Sequence, residues 1–204
     1  DGIRLLHGDA LAILPTLPAE SVSCVCTSPP FWGLRKYDAP PSIWGGSGCE
    51  HEWVESERVY EIRKNEALPT GFTHPRQIDG AIAKQLTTTA TCLRCSAWRG
   101  HFGLEPKADC MAWARGEPPC NACYLCHTLA FLREIRRVLR PDGVVWWDID
   151  DYRGGKADSG GPKGKIHSEF HRLEGMPIKP GAKSLCLIPE RIAIAAQDDG
   201  WIVR

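Results

Sequence analysis

The pattern of hydrophobic and polar positions predicts a few short strands separated by long polar stretches. Apolar residues with high strand propensity occupy 3–7, 22–27, 144–149 and 201–203, and turn-forming residues bound these runs. The first two runs are joined by a short helical segment, which is typical of a crossover between parallel strands. The pattern therefore predicts an α/β fold built on a parallel sheet.

Three segments have helical periodicity. The clearest is 129–140, where apolar residues recur every third or fourth position and arginines crowd the other side. The segment 189–199 has Pro189 in its first turn and Gly200 directly after its end, a common arrangement at helix termini. Asp9 is well placed to cap a short helix that follows it. Helices alternating with strands favour the α/β class.

The chain between 38 and 127 has no clear period for most of its length. This stretch is too long for a plain connection, so we predict an insertion, 38–127, in a catalytic core formed by 1–37 and 128–204. The glycine-rich run 44–48 follows no convincing strand and opens no helix, which argues against a nucleotide-binding loop. A loop at 153–181 is rich in Gly, Lys and Pro, and its basic residues suit phosphate contacts.

Composition narrows the class of protein without assigning a function. The 204 residues include 25 Lys and Arg and 25 Asp and Glu, so any affinity for nucleic acid must come from local basic patches. No apolar run approaches the roughly 20 residues that cross a membrane, and the first ten residues lack the features of a signal peptide. We therefore expect a cytoplasmic protein with no membrane partner.

The ten cysteines are too many for a reducing compartment unless they serve a purpose. Several have the two-residue spacing at which neighbouring thiolates hold one metal ion, and structural zinc takes four N or S ligands. The predicted ligands of a first zinc site are Cys49, His51, Cys92 and Cys95. Those of a second site are Cys110, Cys120, Cys123 and Cys126. Four protein ligands leave no position open for water, so we expect structural rather than catalytic zinc.

Spacing alone leaves alternatives at these cysteines. His101 is a substitute for His51, and His127 follows the second cluster without being needed as a ligand. Disulfides or free thiols are the alternatives to zinc, but disulfides require an oxidising compartment that nothing else indicates. Cys24 and Cys26 lie inside a strand and Cys186 stands alone, so we expect these three thiols in the core.

The strand at 22–27 is followed directly by Ser28, Pro29, Pro30 and Phe31. Prolines cannot donate to a strand ladder, so the strand must end there. The carboxyl ends of strands in open α/β sheets are the usual place for ligands. A hydroxyl, rigid carbonyls and an aromatic ring are therefore expected at a reactive position, although a plain turn explains the same residues without any function.

This tetrapeptide resembles the Asp/Asn/Ser-Pro-Pro-Tyr/Phe/Trp motif of the DNA amino-methyltransferases. The order and spacing of the surrounding segments are similar to those of the permuted (beta) group of that family. The similar segments are 7–10, 17–22, 32–37, 139–143 and 198–201. The resemblance implies a Rossmann-like methyltransferase sheet, present in part, with a cysteine-rich zinc-binding insertion.

The activity implied by the resemblance is site-specific methylation of DNA, as in restriction-modification. The methyl group would pass from S-adenosylmethionine to the exocyclic amine of a flipped base. Ser28 and the carbonyl of Pro29 would accept the amine hydrogens, Pro30 would help to keep these acceptors rigid, and Phe31 would stack on the base. Ser before Pro-Pro favours N4 of cytosine, and N6 of adenine is the alternative.

The resemblance also concerns the cofactor. An acidic residue after the first strand lies near the adenosine in this family, which implies that Asp9 and Ala10 contact S-adenosylmethionine. The family's Phe-x-Gly-x-Gly loop does not occur in the sequence, so we expect part of a longer protein that binds the cofactor weakly by itself. Arg35 is a weaker candidate for a phosphate contact. The alternative from another class is a non-catalytic zinc module that binds nucleic acid or a partner protein.

Overall fold

The computed structural model describes residues 2–33, 37, 39–63, 82–151 and 184–204. Arg35 and the predicted loop at 153–181 lie outside these residues. In chain order the elements are α1 (Ala10–Ile13), β1 (Val22–Thr27), β2 (Ser42–Trp44), β3 (Trp53–Arg63), β4 (Ile82–Cys92), β5 (Trp98–Gly100), α2 (Tyr124–Val138), β6 (Leu139–Trp147) and α3 (Ile188–Asp198).

Strands β1 and β6 form a parallel pair, as the pattern predicts for an α/β fold. Their register brings Cys24 opposite Val144 and Thr27 opposite Trp147. The register is irregular near the start of the pair, where β6 contains Pro141-Asp142-Gly143. Beyond the pair, the amide of Asp148 donates to the carbonyl of Thr27 at 2.9 Å. The two strands therefore end side by side at their carboxyl ends.

The prediction that Cys24 and Cys26 lie in the core is wrong. The face of the pair that carries them, together with Val144 and Trp146, is exposed. Strand alternation assigns side chains to two faces but does not reveal which face is covered. Cys186 is buried, as expected.

The stretch at 38–127 contains regular structure that its sequence pattern does not show. Four antiparallel strands form a sheet with the order β2-β5-β4-β3, and β3 pairs with β4 over eleven residues. Polar and charged residues such as Glu55, Glu57 and Thr88 occupy this hairpin and are exposed. Positions 54–57 are all exposed, so both faces of this part of β3 are open and the sequence shows little hydrophobic alternation there.

The helices lie close to their predicted positions. Helix α2 begins five residues earlier than 129 and ends at Val138, because Leu139 already belongs to β6. Helix α3 ends in a turn in which the amides of Gly200 and Trp201 donate to the carbonyls of Gln197 and Ala196, the Schellman arrangement. The predicted division between 127 and 128 lies inside α2.

The core brings α2 and α3 together with residues from the cysteine-rich stretch. Its buried members are Trp32, Ala108, Cys123, Tyr124, Leu125, Cys126, Leu129, Leu132, Cys186, Ile188, Ile192, Ala195 and Ala196. Trp147 and Ile149, at the end of β6 and after it, pack against this cluster. The carboxyl end of the parallel pair thus lies next to this core.

The strands predicted at 3–7 and 201–203 do not form. Ile3 and Ile202 are exposed, and neither segment is hydrogen-bonded to a neighbouring strand within the described part of the chain. A single extended segment leaves its backbone groups without a ladder, so high strand propensity is not sufficient. None of the described helices is long and apolar enough to cross a membrane.

Candidate functional site

The segment Ser28–Phe31 follows β1 directly. Strand β1 ends at Thr27, in agreement with the proline argument. Ser28 is exposed and Phe31 is half-buried, whereas Pro29 is buried. The hydroxyl of Ser28 and part of the ring of Phe31 are therefore accessible, while the backbone between them is anchored.

The residues just after Phe31 are held by the stretch 103–105. Trp32 is 2% exposed, and its ring nitrogen Nε1 donates to the carbonyl of Glu105 at 3.0 Å. The amide of Gly33 donates to the carbonyl of Gly103 at 2.7 Å. The indole of Trp32 acts as an anchor that fixes where the chain leaves the sheet.

Tyr124 contacts the segment from the first position of α2. Its hydroxyl donates to the carbonyl of Pro30 at 2.9 Å. Burial raises the pKa of Tyr124, so the hydroxyl keeps the proton that this bond requires. The carbonyl of Pro30 is therefore hydrogen-bonded within the protein. The carbonyl expected to accept a hydrogen from the amine of the base is that of Pro29.

A buried acidic residue and a buried histidine lie behind this segment. His127 Nδ1 is 2.9 Å from Glu105 Oε1, and the amide of Gly103 donates to Glu105 Oε2 at the same distance. Burial raises the pKa of Glu105, although the hydrogen bonds from His127 and Gly103 act in the opposite direction. The ring of Trp44 stacks on His127 with centroids 3.6 Å apart.

Sequence reasoning missed Glu105 and left His127 undecided. His127 Nε2 lies 2.9 Å from the carbonyl of Asn121, which can only accept, so this nitrogen carries a hydrogen. Both ring nitrogens are thus hydrogen-bonded to protein groups, and His127 is not placed as a metal ligand. In the sequence, His127 directly follows Cys126, which indicates that it lies near the second group of cysteines. Nothing in the sequence indicates that it pairs with Glu105.

Asp9 caps α1, as the sequence favours. Its Oδ1 accepts from the amide of Leu11 at 2.8 Å, and its Oδ2 accepts from the hydroxyl of Ser42 at 2.9 Å. Asp9 and Ala10 are both exposed. A carboxylate has about four lone-pair positions, so these two bonds leave acceptor capacity for a ligand.

Cys49, His51, Cys92 and Cys95 come together in space. Their ligand atoms all lie within 4.8 Å of one another, and we call this group the first cysteine cluster. It joins the loop after β2 to the turn between β4 and β5, so it links distant parts of the antiparallel sheet. His101 Nε2 instead lies 2.9 Å from the carbonyl of Ala39, and the structure places His51 in the group.

The thiols of the first cysteine cluster influence one another strongly. A hydrogen bond with Cys95, together with burial and the proximity of Cys92, raises the pKa of Cys49 to about 11. Burial opposes ionisation of Cys92, but the amides of Cys95 and Arg94 and the ring of His51 lower its pKa to about 6. A divalent cation would remove the repulsion between thiolates, so the donor set suits zinc.

Gly46 gives the first cysteine cluster its space. It has a φ of +69°, and an added Cβ would lie 2.6 Å from Cys95 Sγ and 2.7 Å from the ring of His51. The glycine-rich run at 44–48 therefore has a role in packing against the candidate ligands. The run directly precedes Cys49, and this position in the sequence could have indicated that it packs against the candidate metal ligands.

Cys110, Cys123 and Cys126 form a second group, which we call the second cysteine cluster. Their sulfur atoms lie within 4.8 Å of one another, and Cys123 and Cys126 are buried. Cys120, the fourth predicted ligand, is half-buried and is not placed within that distance of all three. It is near enough for its charge to contribute to the raised pKa of Cys110, of which burial is the main cause.

Comparison with known proteins gives a consistent set of relatives. The chain is 27% identical over 205 residues to the type II methyltransferase M.XycI of Xanthomonas campestris pv. cyanopsidis, covering 100% of this chain and 44% of that protein. It is 25% identical over 211 residues to M.Cfr9I of Citrobacter freundii, covering 100% and 45%. It is 23% identical over 207 residues to M.SmaI of Serratia marcescens, covering 98% and 45%.

The chain spans less than half the length of these relatives. No protein-family model and no solved structure matches it. The similarity nevertheless extends over the whole chain and includes the cysteine-rich stretch as well as the Ser28–Phe31 segment. The resemblance to DNA methyltransferases is thereby confirmed: the chain is similar, over its whole length, to part of the type II methyltransferases.

Proposed function

We propose that these residues are the base-binding part of a DNA methyltransferase that modifies the exocyclic amine of a flipped base, with N4 of cytosine as the target. The observation that carries this proposal is the position of Ser28. It is exposed at the carboxyl end of a parallel strand and is followed by two prolines and an accessible aromatic ring. The similarity to type II methyltransferases supports the same reading.

Ser28 and the carbonyl of Pro29 accept the hydrogens of the amine. The lone pair of such an amine is delocalised into the base, so two fixed acceptors are needed to hold the amine and direct its lone pair outwards. Phe31 stacks on the base, which leaves the duplex because the amine is otherwise out of reach. The choice of cytosine rests on Ser before Pro-Pro.

S-adenosylmethionine supplies the methyl group when it is bound. The residues of this chain that fit its adenosine are Asp9 and Ala10, which are exposed and retain acceptor capacity. A carboxylate in this place suits a ribose hydroxyl.

The two cysteine clusters hold structural zinc within this proposal. Cys49, His51, Cys92 and Cys95 form one site, and Cys110, Cys123 and Cys126 lie together at the other. Cys120 would complete the second site as its fourth ligand. The metal contributes folding free energy to the inserted region 38–127, while the catalytic core comprises 1–37 and 128–204. DNA is the partner and a restriction-modification system is the setting.

Transfer of a labelled methyl group tests the activity. The full-length protein is incubated with labelled S-adenosylmethionine and mixed-sequence DNA, and the DNA is digested to nucleosides. We expect label in N4-methylcytosine. Label in N6-methyladenine would replace the proposed base with the alternative one, and unlabelled DNA would contradict the proposal.

A further inference from the structure

We infer that the cysteine-rich insertion positions the base-binding segment, and that Gly103, Glu105 and Tyr124 are positioning residues for Ser28 and Phe31. The effect of these residues on catalysis rests on the proposed function. The contacts between the insertion and the segment do not depend on that function. They connect residues that are 70 or more positions apart in the sequence, so they join two separate parts of the chain.

The first connection reaches the middle of the segment. The Tyr124 hydroxyl donates to the carbonyl of Pro30 at 2.9 Å, and the side chain of Tyr124 is fully buried. The Tyr124 amide in turn donates to the carbonyl of Lys107 at 2.8 Å. Both ends of this residue are therefore fixed, and the carbonyl that it holds lies directly between Pro29 and Phe31.

The second connection holds the end of the segment. Trp32 donates to the carbonyl of Glu105, and the Gly33 amide donates to the carbonyl of Gly103. The side chain of Glu105 returns to the Gly103 amide at 2.9 Å and is braced by His127. The turn that receives Trp32 and Gly33 is thus itself hydrogen-bonded and buried.

Gly103 allows the close approach of these two parts. Its φ is +91°, and an added Cβ would lie 3.0 Å from Pro30 Cβ and 3.1 Å from the carbonyl oxygen of Phe31. Proline cannot yield by changing a rotamer, so a methyl group here displaces the backbone of residues 30 and 31. Catalysis depends on reacting groups held to a fraction of an ångström, so such a shift affects the chemical step.

The insertion offers a matched control for this substitution. Gly116 also has a positive φ, +66°, but an added Cβ there meets nothing within 4 Å. Gly103→Ala and Gly116→Ala both place an alanine at a positive φ. Only the Cβ added by Gly103→Ala makes a close steric contact with Pro30 and Phe31.

Hydrogen–deuterium exchange of the peptide 27–33 in the full-length protein tests the inference. We expect Gly103→Ala to accelerate exchange in this peptide about five- to tenfold, and Tyr124→Phe to do so to a smaller extent. Gly116→Ala should leave the peptide at the wild-type rate. The inference would be overturned if peptide 27–33 exchanged at the wild-type rate in both Gly103→Ala and Tyr124→Phe. If Gly103→Ala does not fold, the exchange rate in Tyr124→Phe decides the outcome.

Kinetics then separate positioning from simple loss of structure. We expect Gly103→Ala and Tyr124→Phe to lower kcat for methyl transfer while KM for DNA stays near the wild-type value, because contacts along the DNA backbone are not altered. Unchanged kcat in variants with accelerated exchange would overturn the positioning role. If the wild-type protein methylates no DNA, the proposed function fails, and the exchange rates still decide whether the insertion holds the segment.

Discussion

Ser28 and Phe31 differ from their neighbours in exposure. Pro29 and Trp32 are buried, and the carbonyl of Pro30 is hydrogen-bonded to Tyr124. The accessible residues, Ser28 and Phe31, are thus each followed by a residue that is buried in the protein. This arrangement suits recognition of a small planar ligand, because the recognising groups are held by their immediate neighbours and lose little entropy on binding.

Phe31→Ala should lower kcat/KM for methyl transfer about 5- to 150-fold, because stacking of a base on an aromatic ring contributes about 1–3 kcal/mol. Phe31→Tyr keeps the aromatic face and should retain most of the activity. Steady-state methyl transfer with the full-length variants measures both values. Equal activity of the Ala and Tyr variants would show that the ring does not contact the base.

Cysteine reactivity tests the exposed face of the parallel pair. In the native chain near neutral pH, iodoacetamide should modify Cys24 and Cys26 well before Cys186. The first two thiols are exposed, whereas burial raises the pKa of Cys186 to about 11 and blocks access to it. Peptide mass spectrometry over a time course gives the order, and early modification of Cys186 would contradict the packing described for α3.

At the scale of elements, periodicity located α2 and α3, because each of these helices buries one face in the core. The apolar run at 22–27 and the prolines after it located β1. The hairpin of β3 and β4 gave no comparable signal, since the successive positions 54–57 are all exposed and their side chains do not alternate between apolar and polar. Spacing of cysteines gave more information than hydrophobicity in this part of the chain. It grouped residues 49 and 95, which no periodic pattern connects.

The two cysteine clusters should bind zinc independently. Purified protein is expected to contain one zinc ion per cluster, and Cys92→Ser should remove the ion of the first cysteine cluster while the second retains its own. Cys24→Ser is the matched control, because it changes an exposed thiol outside both clusters. Elemental analysis of protein prepared without chelator provides the measurement. Absence of zinc from the wild-type protein would refute both sites.

At the scale of the whole molecule, one buried cluster includes Trp32, the start of α2 and helix α3. Residues on both sides of the predicted division at 127 and 128 therefore share a core. The sequence does not indicate this shared core, because helical periodicity becomes clear only from residue 129 onwards. The buried pair of Glu105 and His127 was also beyond prediction, because it joins residues 22 positions apart through a fold that no local pattern specifies.

Leu132→Ala should lower the free energy of unfolding by about 2–5 kcal/mol, because the side chain is 5% exposed and its removal leaves a cavity between α2 and α3. Leu5→Ala makes the same change at an exposed position and should alter stability by no more than about 0.5 kcal/mol. Urea denaturation of the two variants gives the difference. Similar effects at both positions would contradict the described core.

The central claim is that Ser28 holds the amine that receives the methyl group. Its most direct test compares Ser28→Ala with Ser23→Ala in labelled methyl transfer to DNA by the full-length protein; Ser23 is an exposed serine within β1, the strand that Ser28 follows. Loss of one fixed hydrogen-bonding group at a reacting centre should lower kcat about a hundredfold or more, so Ser28→Ala should be nearly inactive while Ser23→Ala remains at the wild-type rate. Both variants should show wild-type unfolding curves. Full activity of Ser28→Ala would contradict the account.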